Sequence, residues 1–97
     1  MLKAEDKRYL KSLAMKIDNK YQIGKNEITP TLIDSLDKGL LKKELIKVKM
    51  LNTVELSANE VAINLATALN AEIIQVVGHV ITLYRHNKEK PVIKFPR

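Results

Sequence analysis

The chain is 97 residues long and 45% apolar, enough for one small domain with a hydrophobic core of its own and too little for a multidomain enzyme. No cysteine is present, which excludes a disulfide framework, a cysteine-ligated zinc site and a thiol nucleophile, and makes the reducing cytoplasm the expected location. Seventeen Lys and Arg against eleven Asp and Glu leave +6, placed in blocks: +4 over residues 1–25, −3 over 26–37, +4 over 38–49, −3 over 50–84 and +4 over 85–97.

From Ala4 to about Asp18, the residues Leu10, Leu13, Ala14 and Ile17 recur at helical spacing and predict an amphipathic helix, with Lys3, Lys7 and Lys11 in an i, i+4 row elsewhere on it. Tyr21-Gln22-Ile23 is short and β-prone and stops at Gly24, which reads as a brief strand. Thr29 and Pro30 mark a helix start, Thr29 as a cap for orphan amides and Pro30 in the first turn, where its missing N–H costs nothing. This second helix buries Leu32, Ile33, Leu36 and Leu40 and ends near Lys42, weakened at Gly39 by about 1 kcal/mol relative to Ala.

Between Leu45 and Leu51, Ile46, Val48 and Met50 alternate with Lys47 and Lys49, which predicts a strand with one buried face and both lysines emerging on an open one. Ser57 and Glu60 have capping-box spacing, the hydroxyl accepting from a first-turn amide and the carboxylate reaching back. The third helix that follows buries Ala62, Leu65, Ala66 and Leu69. Two β-rich runs, 73–77 and 80–84, flank Gly78-His79 as a two-residue hairpin, and residues 86–97 read as a polar, basic tail punctuated by proline.

The order is α-β-α-β-α-β-β in a single domain spanning residues 1–97. Helices alternating with the first strands require crossover connections and parallel pairing, while the terminal hairpin is antiparallel. The fold class is therefore α/β, a four-stranded mixed sheet covered by helices. No repeat or low-complexity run interrupts it.

Catalytic and metal-binding patterns are poor. His79 and His86 have no carboxylate at ligand spacing, so neither a metal nor any other cofactor is expected. Asp34 and Asp37 share a helix face, but acids near a helix N-terminus are favoured by the macrodipole without any catalytic task. Ser57 is occupied as a cap, and no enzyme activity is expected. The longest run free of Asp, Glu, Lys and Arg is the twelve residues 73–84, short of the roughly 18 a membrane span needs, and no apolar run follows the charged first eight residues, so no membrane association or secretory signal is expected.

Three basic blocks instead suggest a polyanionic partner, because each Lys or Arg that neutralises a phosphate releases condensed counterion. The loop 24–29 follows a strand and precedes a helix N-terminus, where exposed amides favour an anion, although a plain strand-to-helix turn accounts for the hexapeptide as well. It lacks the second glycine and the Lys-Ser/Thr ending of a nucleotide-phosphate loop.

Several strings in register then resemble a known family. Gln22-Ile23-Gly24-Lys25-Asn26, Glu44-Leu45-Ile46-Lys47-Val48-Lys49, and Gly78 followed by Leu83-Tyr84-Arg85 look like the YhbY-type CRM domain, named for chloroplast RNA splicing and ribosome maturation. The opening Lys7-Arg8-Tyr9-Leu10-Lys11 with Leu13-Ala14 and the closing Phe95-Pro96-Arg97 resemble its stand-alone bacterial members. The resemblance implies an RNA-binding domain with a fold similar to the C-terminal domain of a bacterial translation initiation factor. Bacterial members are associated with precursors of the large ribosomal subunit, plant relatives with group II intron splicing. The family's G-x-x-G loop maps onto Gly24, Lys25, Asn26 and Glu27, and here Glu27 replaces the second glycine, removing backbone freedom and adding a carboxylate that repels phosphate.

The expected RNA-binding residues are Lys7, Arg8 and Lys11 on the first helix, Gly24, Lys25 and Asn26 in the loop, Lys42, Lys43, Lys47 and Lys49 around the second strand, and Arg85 with Lys88 beyond the hairpin. Each charge alone is more often a solvated one than a contact, and convergence on one face decides between the two. Tyr9, Tyr21, Tyr84 and Phe95 are too few for base-by-base stacking, so recognition by shape and backbone is expected. The expected partner is ribosomal RNA of a large-subunit precursor, bound by a monomer. The rival is an adaptor whose basic first helix docks an acidic or ribosomal protein.

Overall fold

The computed structural model describes residues 2–17, 21–24, 28–51 and 56–95. Helix α1 (Ala4–Ala14), strand β1 (Tyr21–Ile23), helix α2 (Pro30–Lys43), strand β2 (Leu45–Met50), helix α3 (Ala58–Leu69) and strands β3 (Glu72–Val77) and β4 (Val80–Tyr84) follow one another in that order. The sheet runs β1-β2-β4-β3, with β1 parallel to β2 and the other two pairings antiparallel. The α/β class and mixed four-stranded sheet are those expected from the sequence.

Local chemistry fixes most element ends. The Thr29 hydroxyl accepts from the Leu32 amide at 3.1 Å, with Pro30 in the first turn of α2. At α3 the Ser57 hydroxyl accepts from the Glu60 amide at 3.2 Å and donates to the Glu60 carboxylate at 3.1 Å, so the carboxylate meets the cap through its hydroxyl. Gly78 opens the hairpin turn at φ +57°, a conformation that costs glycine nothing. Gly39 is a matter of space: a Cβ there would collide with the Tyr21 hydroxyl, so its place in α2 lets β1 pack against the helix.

Two apolar clusters sandwich the sheet. Ile46, Val48 and Met50 of β2, Ile23 of β1 and Ile81 and Leu83 of β4 meet Leu36 and Leu40 of α2 and Val61, Leu65 and Leu69 of α3. Each such side chain contributes about 1.5–3 kcal/mol on burial. On the opposite face Leu45, Ile74 and Tyr84 pack under Leu10 and Ala14 of α1. The face expected to be open at Lys47 and Lys49 is therefore half covered: Lys49 is exposed, but Lys47 lies beneath the end of α1. The helix also stops before Asp18, closing after Ala14 with tighter i→i+3 bonds from Lys16 to Leu13 (3.0 Å) and from Ile17 to Ala14 (3.3 Å).

The described part of the C-terminal tail is docked. Glu44 sits where α2 meets β2, in a left-handed conformation (φ 64°) that costs a residue other than glycine about 1–2 kcal/mol, and its side chain is fully buried. Its amide donates to Leu40 O at 2.8 Å and its carbonyl accepts from the Arg85 amide at 2.9 Å. One carboxylate oxygen accepts from the amides of Val92 (2.6 Å) and Ile93 (2.7 Å), the other from the amide of Asn87 (2.7 Å), with His86 Nδ1 at 3.1 Å. Residues 86–95 thus form a strap whose far end puts Phe95 against Tyr9 and Tyr84, ring centroids 5.9 and 6.1 Å away.

Burial alone raises the pKa of the Glu44 carboxyl, but the amides of Asn87, Ile93 and Val92 together with His86 outweigh it and hold the group below its ordinary value. A depressed folded-state pKa contributes stability that is complete above the unfolded value of about 4.3 and is lost as pH falls through the folded one. Glu44→Gln, which turns an amide donor toward these donors, is expected to lose about 2–3 kcal/mol of unfolding free energy at pH 7. Urea unfolding of both proteins should show that gap narrowing below about pH 4. A gap that stays constant with pH would rule out a charged anchor.

Candidate nucleic-acid interface

The sheet divides the expected binding residues into separate groups. Lys7, Arg8 and Lys11 are exposed on α1. On the sheet face that α1 half covers, Gln22 of β1 lies beside Lys49 of β2, both exposed. Gly24 follows β1 at the same end, within 3.6 Å of Leu51 as measured from the Cβ it lacks. Lys25 and Asn26, with Glu27, lie outside the described residues. Helix α1, the uncovered half of the sheet face and the start of the loop are thus on one side of the molecule.

Two candidates are committed to the fold. Lys47 Nζ donates to the carbonyls of Ala14 (2.9 Å) and Ile17 (3.3 Å), supplying a cation to the C-terminal end of α1, where the macrodipole and unpaired carbonyls favour one. Arg85 donates to the Asp37 carboxylate (2.8 Å), the Asp37 carbonyl (3.1 Å) and Leu69 O (2.9 Å), tying α2 to the end of α3. Asp34 pairs with Lys38 at 3.0 Å, so both aspartates of the helix face serve ion pairs. Among the described residues no group of three or more His, Asp or Glu is placed to hold a metal.

Lys42 and Lys88 converge at the other end of β2. They line a shallow groove with Lys38, Leu41 and Lys90, walled on one side by the last turns of α2 and on the other by residues 85–90. Lys43 is exposed on the same turn of α2. Lys38 and Lys90 were not singled out from the sequence. The signal that marks their neighbourhood is Asn87, whose side-chain oxygen accepts from the amides of Glu89 and Lys90, both at 3.1 Å, in the manner of an Asx turn.

Fold and surface together define a small basic α/β/α domain with cations displayed on its outer helix and at both ends of its second strand. The chain belongs to the CRS1/YhbY (CRM) domain family, whose model matches residues 2–85. It is 33% identical over 96 residues to Probable RNA-binding protein YqeI of Bacillus subtilis, covering 99% of this chain and 100% of that protein. It is 30% identical over 97 residues to an RNA-binding protein of Haemophilus influenzae, covering 99% and 96%. Probable RNA-binding protein MJ0652 of Methanocaldococcus jannaschii is 40% identical over 81 residues, 81% of this chain and 60% of that one. The solution structure of the hypothetical protein SAV1595 from Staphylococcus aureus superposes with a TM-score of 0.81 at 42% identity, covering 99% of this chain and all of the other.

The cap by Lys47 separates a structural cation from a binding one. Lys47→Met removes the ammonium from the Ala14 and Ile17 carbonyls and is expected to lower unfolding free energy by about 1–2 kcal/mol, measured by urea denaturation, whereas Lys49→Met should change it by less than about 0.5 kcal/mol.

Proposed function

We propose that the protein is a non-catalytic RNA-binding factor of the cytoplasm that acts as a monomer on precursor RNA of the large ribosomal subunit and assists its assembly. The binding face is the α1 side of the sheet: Lys7, Arg8 and Lys11 on the helix, Gln22 and Lys49 on the uncovered strands, and the loop that begins at Gly24. Relatives named as RNA-binding proteins across nearly the whole chain support this reading.

One observation carries it. Gly24 does not take a left-handed φ, and a Cβ added there would meet nothing among the described residues closer than ordinary van der Waals contact with Leu51, 3.6 Å away. Among the described residues nothing requires glycine at this position, whereas a phosphate approaching the backbone does. Gly24→Ala is expected to leave stability unchanged or raise it by about 0.4–1 kcal/mol, while weakening RNA binding. Unchanged affinity would remove the loop from the interface.

Lys7, Arg8, Lys11 and Lys49 on this face, together with Lys25, which follows Gly24 in the sequence, make five cations. On a short RNA stem, log K should fall with log salt at a slope of about −3.5 to −4.5, from roughly 0.7 to 0.9 per phosphate neutralised. Affinity insensitive to salt would exclude the electrostatic mechanism. The assembly role is tested by crosslinking the tagged protein to RNA in cells. Large-subunit rRNA recovered from precursor particles is expected, and a recovery of unrelated transcripts would contradict it.

A further inference from the structure

We infer that the groove between the end of α2 and the strap is a second site for RNA backbone, so that one molecule holds two RNA segments at once; this rests on the RNA-binding reading above. The groove lies at the Glu44 end of β2 and Gly24 at the Leu51 end. Six strand residues at about 3.3 Å each separate the two by about 20 Å. The groove is lined by α2 and residues 85–90, with no described residue of α1 or β1 in its walls.

The groove is held in shape by the fold. Glu44 fixes the strap through the amide of Asn87, the Asn87 side chain donates to Leu41 O at 2.9 Å, and its oxygen holds the amides of Glu89 and Lys90. Lys88 and Lys90 are therefore carried on ordered backbone opposite Lys42 and Lys38 of α2. Charges on both walls of a shallow groove match the phosphate rows of a nucleic acid, and no Tyr, Phe or Trp lines it for base stacking. Lys38 is partly neutralised by Asp34, and Glu89 also faces the groove, which leaves Lys42, Lys88 and Lys90 as the main contacts. The strap lies beyond residues 2–85, the span that the family model matches, and within the span shared with YqeI of Bacillus subtilis and SAV1595 of Staphylococcus aureus.

The test is native mass spectrometry of the full chain with an RNA hairpin whose stem is about five base pairs, at most about 17 Å at roughly 3.4 Å per pair and too short to span both sites, backed by titration at low salt. The expected result is one protein with two stems. Replacing Lys42, Lys88 and Lys90 by alanine should reduce this to one stem, with affinity and salt slope for the first stem retained. Asn87→Ala, which keeps every lysine but frees the strap turn, should weaken the second stem about tenfold, as loss of preorganisation predicts. A wild-type complex that saturates at one stem, or a triple variant that still takes two, overturns the second site and leaves the first intact. A protein that takes no stem at all overturns the RNA-binding reading itself.

Discussion

The structure depends on a buried carboxylate at the junction of α2 and β2. Every polar group of Glu44 is used: its amide closes the helix, its carbonyl receives the start of the strap, and its two side-chain oxygens gather three backbone amides and an imidazole from 42 to 49 residues downstream. An uncompensated charge at full burial is very costly, and this one is satisfied by donors whose partners elsewhere would have been water. The left-handed backbone at Glu44 is tolerated because the network over-determines it.

From that anchor the rest follows mechanically. With the strap docked, Phe95 reaches Tyr9 and Tyr84 and closes the small cluster under α1. With Lys47 holding the end of α1, the helix lies across half of the sheet and leaves Gln22 and Lys49 open beside it. The basic blocks of the sequence are thus sorted into cations that build the domain and cations displayed to a partner. Net charge alone does not make this distinction, and it explains why Arg85 and Lys47, inside two of the most family-like strings, are poor candidates for direct contact.

Much of the fold was legible because its signals are local. Thr29-Pro30, Ser57 with Glu60, the alternation through β2 and the Gly78-His79 turn each declare themselves within a few residues. What escaped was long-range. Glu44 stands in a lysine-rich run and looks like one more solvated acid, and its partners are backbone amides, which have no residue signature. The apolar period of the first helix continues to Ile17, so nothing in it announces that a lysine 30 residues away will cap the helix near Ala14. The alternation placed Lys47 and Lys49 on one face correctly but not the helix that covers half of it. Apart from Gly24 and Asn26, the binding residues were chosen by charge, and only the topology shows that Lys42 and Lys88 meet at one end of β2 while Gly24 and Lys49 lie toward the other.

The central claim, that the Glu44 carboxylate holds the strap as part of the fold, is tested most directly by amide hydrogen exchange at neutral pH on the wild-type protein and Glu44→Gln. The amides of Asn87, Val92 and Ile93 are expected to exchange slowly in the wild type and to lose protection in the variant while those of β2 and β4 keep theirs. Wild-type strap amides exchanging at the rate of an unstructured peptide, alongside a protected sheet, would contradict it.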